Sequence, residues 1–564
     1  MQKYLFYIIC LLISLTMVCC SENDSDNSPK TTIPTKIEED SINTKDDTNK
    51  VDTIYFQIQK DNIILSIGET ETIDIFVNLH DNDANFDKDN GNYNLQLKFA
   101  QNDLQPENYF VSKVEQINDG NDTRFRLYIE DLCIKNNYND SVQIRITKKG
   151  NKTIYLSSKL RISLSCDNTT RKYLNTNLPL VKIETVNNEE PKCDYVSPPN
   201  NCWGAGIKNA TKVPGKLLIL KNDDILYYSG EYDKGNSGMT LKIRGNTSAY
   251  HDKKPYKIKL QKKADLLSRK DDNNYKDKEW VLLKYDGLKA LVGFKLNELI
   301  GMQWTPSFQY VNVMINGDYR GLYMLCESVK RNPNCRINVD ETGYIIEYDA
   351  YWWNENVYFV SDYSDSMNYT FKYPDEENIS QEQIDYIKQY VKTLETTILK
   401  EGQYENYMDV DSWAKWLLLQ DILGNSDSAG ANIYFTKFDN TENSKLMMGN
   451  LWDFDSSFKV STYWSVQHTA DLLYFPKLLA NKNMLFKNTY KSYWTKISPN
   501  LVQDMNTFLE EFARSETAAA VNTSITSDNQ RWGYESSRIS EEISTFKAWF
   551  VVRLYLLNQM IPNL

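Results

Sequence analysis

The sequence predicts an α+β protein in which a β-rich segment precedes a helical one, behind a separate all-β, immunoglobulin-like sandwich. Short β-branched or alternating runs fill residues 53–168 and recur after residue 175, with Asx- and Gly-rich turns between them. After residue 378, apolar residues follow a helical spacing instead. Hydrophobic residues make up 41% of the 564-residue chain, which is enough apolar material for buried cores.

The first twenty residues have the features of a secretory signal. Lys3 precedes an apolar run over residues 4–13, which is too short for a membrane-spanning helix. The signal ends at Cys19 and Cys20, and in this it resembles lipoprotein signals, whose cysteine is lipidated. The polar and acidic residues 21–24 are similar to the export signal of surface lipoproteins. We therefore expect a lipid anchor on Cys19 or Cys20 in the cell envelope, at the outer-membrane surface.

The next two segments carry no evident chemistry. Residues 21–52 are mostly Ser, Thr, Asn, Lys, Asp and Glu, which predicts a disordered tether. Residues 53–168 contain about seven short strand-like runs, one of them over residues 154–164, and this is typical of an immunoglobulin-like sandwich. Function depends on sites rather than on folds, so we expect this domain to be a spacer or an adhesion module.

Charge and residue usage exclude several classes of protein. A formal net charge of −12 argues against a duplex nucleic-acid binder, which needs a basic face, and we expect no nucleic-acid partner. Only three histidines are present, which argues against a His-rich metal site or a Ser-His-Asp triad. Six cysteines after the signal permit disulfides in an exported chain, and their spacing suggests the pairs Cys193/Cys202, Cys326/Cys335 and Cys133/Cys166.

Two helices are predicted ahead of the segment that carries the chemistry. Ser380 and Gln383 form a capping box, and apolar residues at helical spacing follow over residues 384–398. Asp411 is expected to cap a second helix, which Gly424 ends. A polar loop, a β-hairpin over residues 433–448 and an acidic segment come next.

Three residues around that hairpin indicate phosphoryl transfer. Asp427 and Asn432 have the D-x-x-x-x-N spacing, which in protein kinases lets the Asp meet the substrate hydroxyl while the Asn ligates magnesium. Asp453 follows the hairpin, where kinases place an Asp that holds metal over the phosphates. The same spacing is also found in solvated Asx-rich loops, and Asp453 with Asp455 would also suit a calcium ion.

Four motifs, in order, resemble the CotH (spore coat protein H) kinase family of atypical, secreted-type protein kinases. The resemblance covers about residues 175–564 and implies a reduced protein-kinase-like fold, with a β-rich lobe before a helical lobe. The motifs are LKIRGNTS at 241–248 with KKPYKIK at 253–259, NGDYRGLY at 316–323 with Glu327 and Lys330, GYIIEYD at 343–349, and NSD at 425–427 and NIYF at 432–435 with LWDFD at 451–455.

The resemblance implies roles for the acidic residues and for the cofactors. Asp427 would be the catalytic residue and Asp453 the metal-binding residue. Asn432 would be a second metal ligand, and Asp455 a weaker candidate for the same role. The implied cofactors are ATP and Mg²⁺ or Mn²⁺.

The β-rich lobe would contact the nucleotide. Lys259 is placed like the phosphate-pairing lysine of a kinase, with Lys257 as the alternative, because strand alternation puts both on one face. Arg244 would reach phosphate, and Glu327 would orient the lysine or hold metal. The simpler alternatives are a solvated lysine face, a surface turn at Arg244 and an edge-strand ion pair at Glu327.

Three functions are compatible with these observations. The first is a surface-tethered kinase that phosphorylates Ser, Thr or Tyr of exported proteins or of itself. The second is a non-catalytic kinase-like surface lipoprotein for adhesion or glycan binding, which the 38 Tyr and 12 Trp residues favour. The third is a metal-dependent enzyme acting on another phosphate or glycan substrate. The joint presence of Asp427, Asn432 and Asp453 favours the kinase.

Overall fold

A computed structural model of the chain describes residues 53–564 except for short segments, of which 77–92, 100–109 and 459–472 are the longest. The predicted signal and tether lie outside the described residues. So do Cys19, Cys20, Cys133 and Cys166, and with them the predicted lipid anchor and one predicted cysteine pair.

Residues 53–165 form two β-sheets, and the description of this region contains strands but no helix. A six-stranded sheet has the order β1-β8-β7-β9-β2 with β4 added beside β7, and a three-stranded sheet has the order β3-β6-β5. The strands are β1 (Thr53–Phe56), β2 (Asn62–Ser66), β3 (Thr70–Phe76), β4 (Tyr93–Phe99), β5 (Phe110–Asp119), β6 (Asp122–Asp131), β7 (Tyr138–Lys148), β8 (Ile154–Ser157) and β9 (Leu160–Ser165).

Two details of this region differ from the sequence-based prediction. The prediction of a single strand over residues 154–164 is wrong. Two strands occupy this range, because β8 pairs with β1 while β9 pairs with β2, and the two strands separate at Ser158. Strand β5 was not predicted. The immunoglobulin-like arrangement of the two sheets stays a prediction.

The β-rich segment after residue 168 forms a second, larger sheet and a small two-stranded one. The sheet has the order β10-β18-β19-β17-β16-β15-β13-β14, and the small one pairs β11 with β12. The elements are α1 (Asn168–Leu174), β10 (Leu180–Thr185), β11 (Asp194–Val196), β12 (Gly206–Lys208), β13 (Val213–Lys221), β14 (Asp224–Tyr228), β15 (Met239–Ile243), β16 (Tyr256–Ala264), β17 (Asp277–Lys284), α2 (Lys289–Ile300), β18 (Phe308–Ile315) and β19 (Asp318–Glu327).

Seven of these strands close into a barrel. Strand β10 pairs in parallel with β18 on one side and antiparallel with β13 on the other, so the ring from β10 through β19 to β13 has no free edge. Alternate residues fill the interior, among them Met239, Ile258, Trp280 and Val313, each almost fully buried. The intervening residues of β16 and β17 face outwards.

The rest of the chain is a five-stranded sheet with helices around it. The sheet has the order β21-β22-β20-β23-β24. The elements are β20 (Tyr344–Tyr348), β21 (Tyr358–Val360), β22 (Asn368–Tyr373), α3 (Gln381–Leu399), α4 (Val410–Leu423), β23 (Ile433–Lys437), β24 (Leu446–Met448), α5 (Phe475–Ala480), α6 (Leu485–Arg514), α7 (Glu516–Trp532) and α8 (Ile539–Met560). One continuous core joins these helices to outward-facing barrel residues such as Val281 and Cys326.

Capping residues determine where the two predicted helices, α3 and α4, begin and end. The capping box is confirmed, since Ser380 and Gln383 exchange side-chain to backbone hydrogen bonds at the start of α3. Asp411 was the wrong cap for α4. Asp409 caps that helix by accepting the Ser412 N–H at 2.7 Å, which places Asp411 in the first turn. Gly424 ends α4 in the left-handed conformation, as predicted.

The local disulfides suggested by spacing are wrong. Cys193, Cys202, Cys326 and Cys335 are free thiols, and Cys326 is buried in the core, where burial raises its pKa. Within the described part of the chain, no helix has both the length and the apolar character needed to cross a membrane.

Candidate active site

The loop after α4 holds two acidic segments together through Asn425. The side chain of this buried residue accepts the Asp427 N–H at 3.2 Å through Oδ1. Its Nδ2 donates to the backbone oxygen of Asp453, also at 3.2 Å. One amide therefore fixes the position of Asp427 relative to Asp453, although the two are 26 positions apart in the sequence.

Asn432 and Asp453 face each other across the start of β23. Asn432 Nδ2 lies 3.3 Å from Asp453 Oδ2. Both residues have left-handed backbone conformations, with φ of 62° and 63°, which Asn and Asp adopt more readily than other non-glycine residues. The Asn432 N–H donates to Glu347 Oε1 at 3.2 Å, and Glu347 is held in turn by Lys372 at 2.7 Å. Glu347 thus supports Asn432 from β20.

Negative charge is concentrated at this point. The Asp453 side chain reaches solvent, yet the surrounding protein displaces enough water to raise its pKa to about 6. The carboxylates of Asp455 and Asp427 contribute to the same rise, and Arg244 opposes it. Mutually repelling carboxylates of this kind are relieved by a bound cation, because the cation favours their ionised forms.

Two cations from the barrel lie close to these carboxylates. Arg244 follows β15 and acts electrostatically on Asp453. Lys284 ends β17, where burial lowers its pKa while Asp455 and Asp453 act in the opposite direction. Its Nζ donates to the Ser248 carbonyl at 3.4 Å, so it lies beside the turn that starts at Arg244. A basic pair therefore accompanies the acidic group.

The two lysines suggested by the resemblance lie on the outer wall of the barrel, where both contact Glu279. Lys257 Nζ is 2.7 Å from Glu279 Oε2, and Lys259 Nζ is 3.7 Å from Glu279 Oε1. The side chain of Lys259 is more than half exposed. Both lysines share the outer face with Val281, as strand alternation predicts, and Glu279 is the acid that pairs with them.

Glu327 is not brought to these lysines. It is fully buried, pairs with Arg269 at 2.9 Å and accepts the Ser307 N–H at 3.0 Å. In the strand register it stands opposite Trp280, whose side chain faces the barrel interior. Because neighbouring residues of a strand face opposite sides, Glu327 and Lys257 point away from each other.

A comparison with known protein families covers the residues of this site. A family profile described as CotH kinase protein matches residues 241–556, which is more than half of the chain. The chain belongs to the CotH kinase family. Membership indicates a kinase-like function and, in general terms, the use of ATP with a divalent metal. No curated protein matches the chain.

The acidic residues of this CotH kinase chain suit a divalent metal ion that binds together with the phosphates of a nucleotide. No group of three or more His, Cys, Asp and Glu side chains in the described ranges is placed to hold a metal ion by itself. Magnesium does not need such a cage, since it keeps several waters and binds through one or two carboxylates plus substrate phosphates. Asp453 and the Asn432 amide, with Asp427 or Asp455 beside them, supply the hard oxygen donors that this mode requires.

Sequence reasoning missed three residues of this CotH site. Asn425 was visible within the motif, but its two hydrogen bonds depend on the fold. Lys284 has no distinguishing sequence signal, because barrel closure brings the end of β17 to the site. Tyr351 follows the GYIIEYD motif; its hydroxyl lies 3.0 Å from Thr247 Oγ1, and burial first, then Asp427, raises its pKa. It joins the turn after Arg244 to the acidic group.

Proposed function

We propose that this chain is a metal-dependent protein kinase that uses ATP to phosphorylate Ser, Thr or Tyr of exported proteins or of itself. It acts while a lipid on Cys19 or Cys20 tethers it to the outer-membrane surface. The observation that carries the proposal is the arrangement in which Asn425 fixes Asp427 against Asp453 while Asn432 contacts the Asp453 carboxylate.

Each residue has a distinct task in the proposed transfer. Asp427 orients the substrate hydroxyl and accepts its proton. The hydroxyl oxygen forms a bond to the γ-phosphorus, the bond from that phosphorus to the β,γ-bridging oxygen breaks, and ADP leaves. Asp453 and Asn432 would hold the metal ion, which would supply positive charge next to the phosphates. Arg244 and Lys284 contact phosphate oxygens, for which charge-assisted hydrogen bonds suit them.

Thermal unfolding with and without ligand tests the nucleotide site. We expect ATP with Mg²⁺ or Mn²⁺ to stabilise residues 21–564 by about 2.7 kcal/mol at a ligand concentration 100 times the dissociation constant. Asp453→Ala should lose this stabilisation, because it removes the metal-binding carboxylate. The exposed Asp504 on α6 offers a matched control, and Asp504→Ala should respond to ATP like the native chain. A native chain that gives no shift at millimolar nucleotide would point instead to a non-catalytic surface protein.

A second prediction compares Lys284 with Lys257 as a phosphate-binding lysine. Lys284→Met should weaken binding of ATP with metal by about tenfold to a hundredfold, as expected when a charged hydrogen bond worth about 1.5–3 kcal/mol is lost. Lys257→Met should change the affinity by less than about threefold, because Asp455 and Asp453 act on the pKa of Lys284, whereas the acid that acts on the pKa of Lys257 is Glu279. Calorimetric titration measures both. A larger loss in Lys257→Met than in Lys284→Met would restore Lys257, the alternative that the resemblance offers beside Lys259.

A further inference from the structure

A cavity of ≈ 830 Å³ lies where the barrel meets the C-terminal helices. Residues 175–179 after α1, residues 308–310 of β18 and the junction of α6 with α7 form its walls. None of the residues placed in the active site lines it. Its volume falls within the range of small-molecule sites, which is about 300–1,000 Å³.

Aromatic rings form one side of the cavity. The rings of Phe308 and Tyr310 are 5.5 Å apart edge to face, and the ring of Phe512 lies 6.3 Å from that of Tyr310. Phe308 and Phe512 are only half-buried, so part of this aromatic surface remains accessible. Accessible aromatic faces of this kind stack on flat, partly apolar ligands.

Neutral hydrogen-bonding groups also line the cavity. Asn175, Asn177 and Asn222 are exposed there, and within the described part of the chain their side-chain amides have no hydrogen-bond partner. Thr517 and Thr523 of α7 add hydroxyl groups. Such amides and hydroxyls both donate and accept hydrogen bonds.

Charge is sparse in this cavity, in contrast to the active site. Lys221 and Glu516 are the only charged side chains among its lining residues, they are exposed, and their charges are opposite. A phosphate-bearing ligand would find no cationic pair like Arg244 and Lys284. The ligand that matches the walls is uncharged, rich in hydroxyl groups and apolar on one face.

We propose that this cavity binds a neutral oligosaccharide. The apolar C–H face of a sugar ring stacks on Phe308 and Phe512, and its hydroxyls bond to the asparagine amides and the threonine hydroxyls. The site is independent of phosphoryl transfer, so the proposal stands or falls separately from the kinase function. Its role is to hold the protein on glycans of the cell surface or of its surroundings.

Blocking the cavity mouth tests the proposal. Thr523 is exposed on α7, so Thr523→Trp fills the cavity without disturbing the core, and the equally exposed Thr495→Trp on α6 is the matched control outside it. The probes are cellotetraose, maltotetraose, mannotetraose and chitotetraose, measured by saturation-transfer NMR and calorimetry. We expect at least one to bind the native chain, and Thr523→Trp to weaken that binding at least about tenfold.

Control variants show whether a loss of oligosaccharide binding comes from blocking the cavity. Thr495→Trp and Asp453→Ala should bind the same oligosaccharide within about twofold of the native chain. Thr517→Trp, at the other end of the same wall, repeats the test if Thr523→Trp unfolds at a lower temperature. The proposal is overturned if no tetrasaccharide binds at about 10 mM, if binding survives both blocking variants, or if a neutral tetrapeptide binds the cavity and the sugars do not.

Discussion

Asp528→Ala is expected to lower the free energy of unfolding by about 3–5 kcal/mol, the usual cost of removing one partner of a buried ion pair. Asp528 of α7 and Lys253, just before β16, are 2.6 Å apart, and the side chain of each is almost completely buried. Removing Asp528 leaves a lysine with no charge partner in the interior. Burial already lowers the pKa of Lys253 to about 8, against the opposing effect of Asp528.

The backbone around the pair increases the cost. Asp528 Oδ1 also accepts the Leu322 N–H at 2.9 Å, while Lys253 Nζ donates to the Leu322 carbonyl at 2.8 Å. Gly321 lies against the pair, because a Cβ at that position would sit 2.0 Å from Asp528 Oδ1. The pair thus ties α7 to β19 and to the segment before β16, and in Asp528→Ala both the Lys253 ammonium and the Leu322 N–H lose a partner.

Urea denaturation measures this prediction. Asp504→Ala, an exposed change on α6, should alter the free energy of unfolding by less than about 0.5 kcal/mol. The double variant Lys253→Met with Asp528→Leu should recover the part of the loss that comes from the unpaired lysine, but not the part that comes from the Leu322 N–H, which still lacks its acceptor. A loss below about 1 kcal/mol in Asp528→Ala would mean that water reaches Lys253.

The second large effect concerns chemistry rather than stability. Asp427→Asn should lower turnover by about 10²–10⁴-fold, the typical contribution of a positioned general base. The amide keeps the size of the side chain, and the backbone N–H that Asn425 accepts is unchanged. Binding of ATP with metal should therefore stay within about threefold of the native value.

Phosphate transfer to a general acceptor protein, or to the chain itself, provides the measurement, with ATP affinity determined in parallel. Asp455→Asn is the informative comparison, because Asp455 also acts on Asp453 as part of the same acidic group, but the proposed mechanism gives it no contact with the hydroxyl. It should retain far more turnover than Asp427→Asn. Equal turnover in Asp427→Asn and the native chain would remove Asp427 from the proposed mechanism.

The sequence predicts the acidic half of the site better than the basic half, and there is a physical reason for this. Asp427, Asn432 and Asp453 belong to one loop, hairpin and loop, so their proximity follows from local chain geometry. Their order in the sequence was enough to group them, and the contact between Asn432 and Asp453 agrees with that grouping.

The basic half depends on strand pairing between distant segments. Lys257 pairs with the acid that lies on its own face of the barrel wall. Glu279 of β17 lies on that face and Glu327 of β19 does not, and a shift of the strand register by one residue would exchange the two faces. The importance of Lys284 depends on where the barrel places the end of β17. The cap of α4 shows the same limit on a small scale, since Asp409 and Asp411 are equally good caps by residue type.

The closure of the barrel has a practical consequence for the choice of expression boundaries. The family match begins at Leu241, within β15, but β10 and β13 complete the ring and both precede that residue. A fragment cut at the start of the match would lose these strands and leave β15 and β18 each with an unpaired edge, ready to associate with other chains. The smallest piece of this protein worth producing for crystallisation or binding assays therefore starts before α1, about seventy residues upstream of the boundary that sequence similarity suggests.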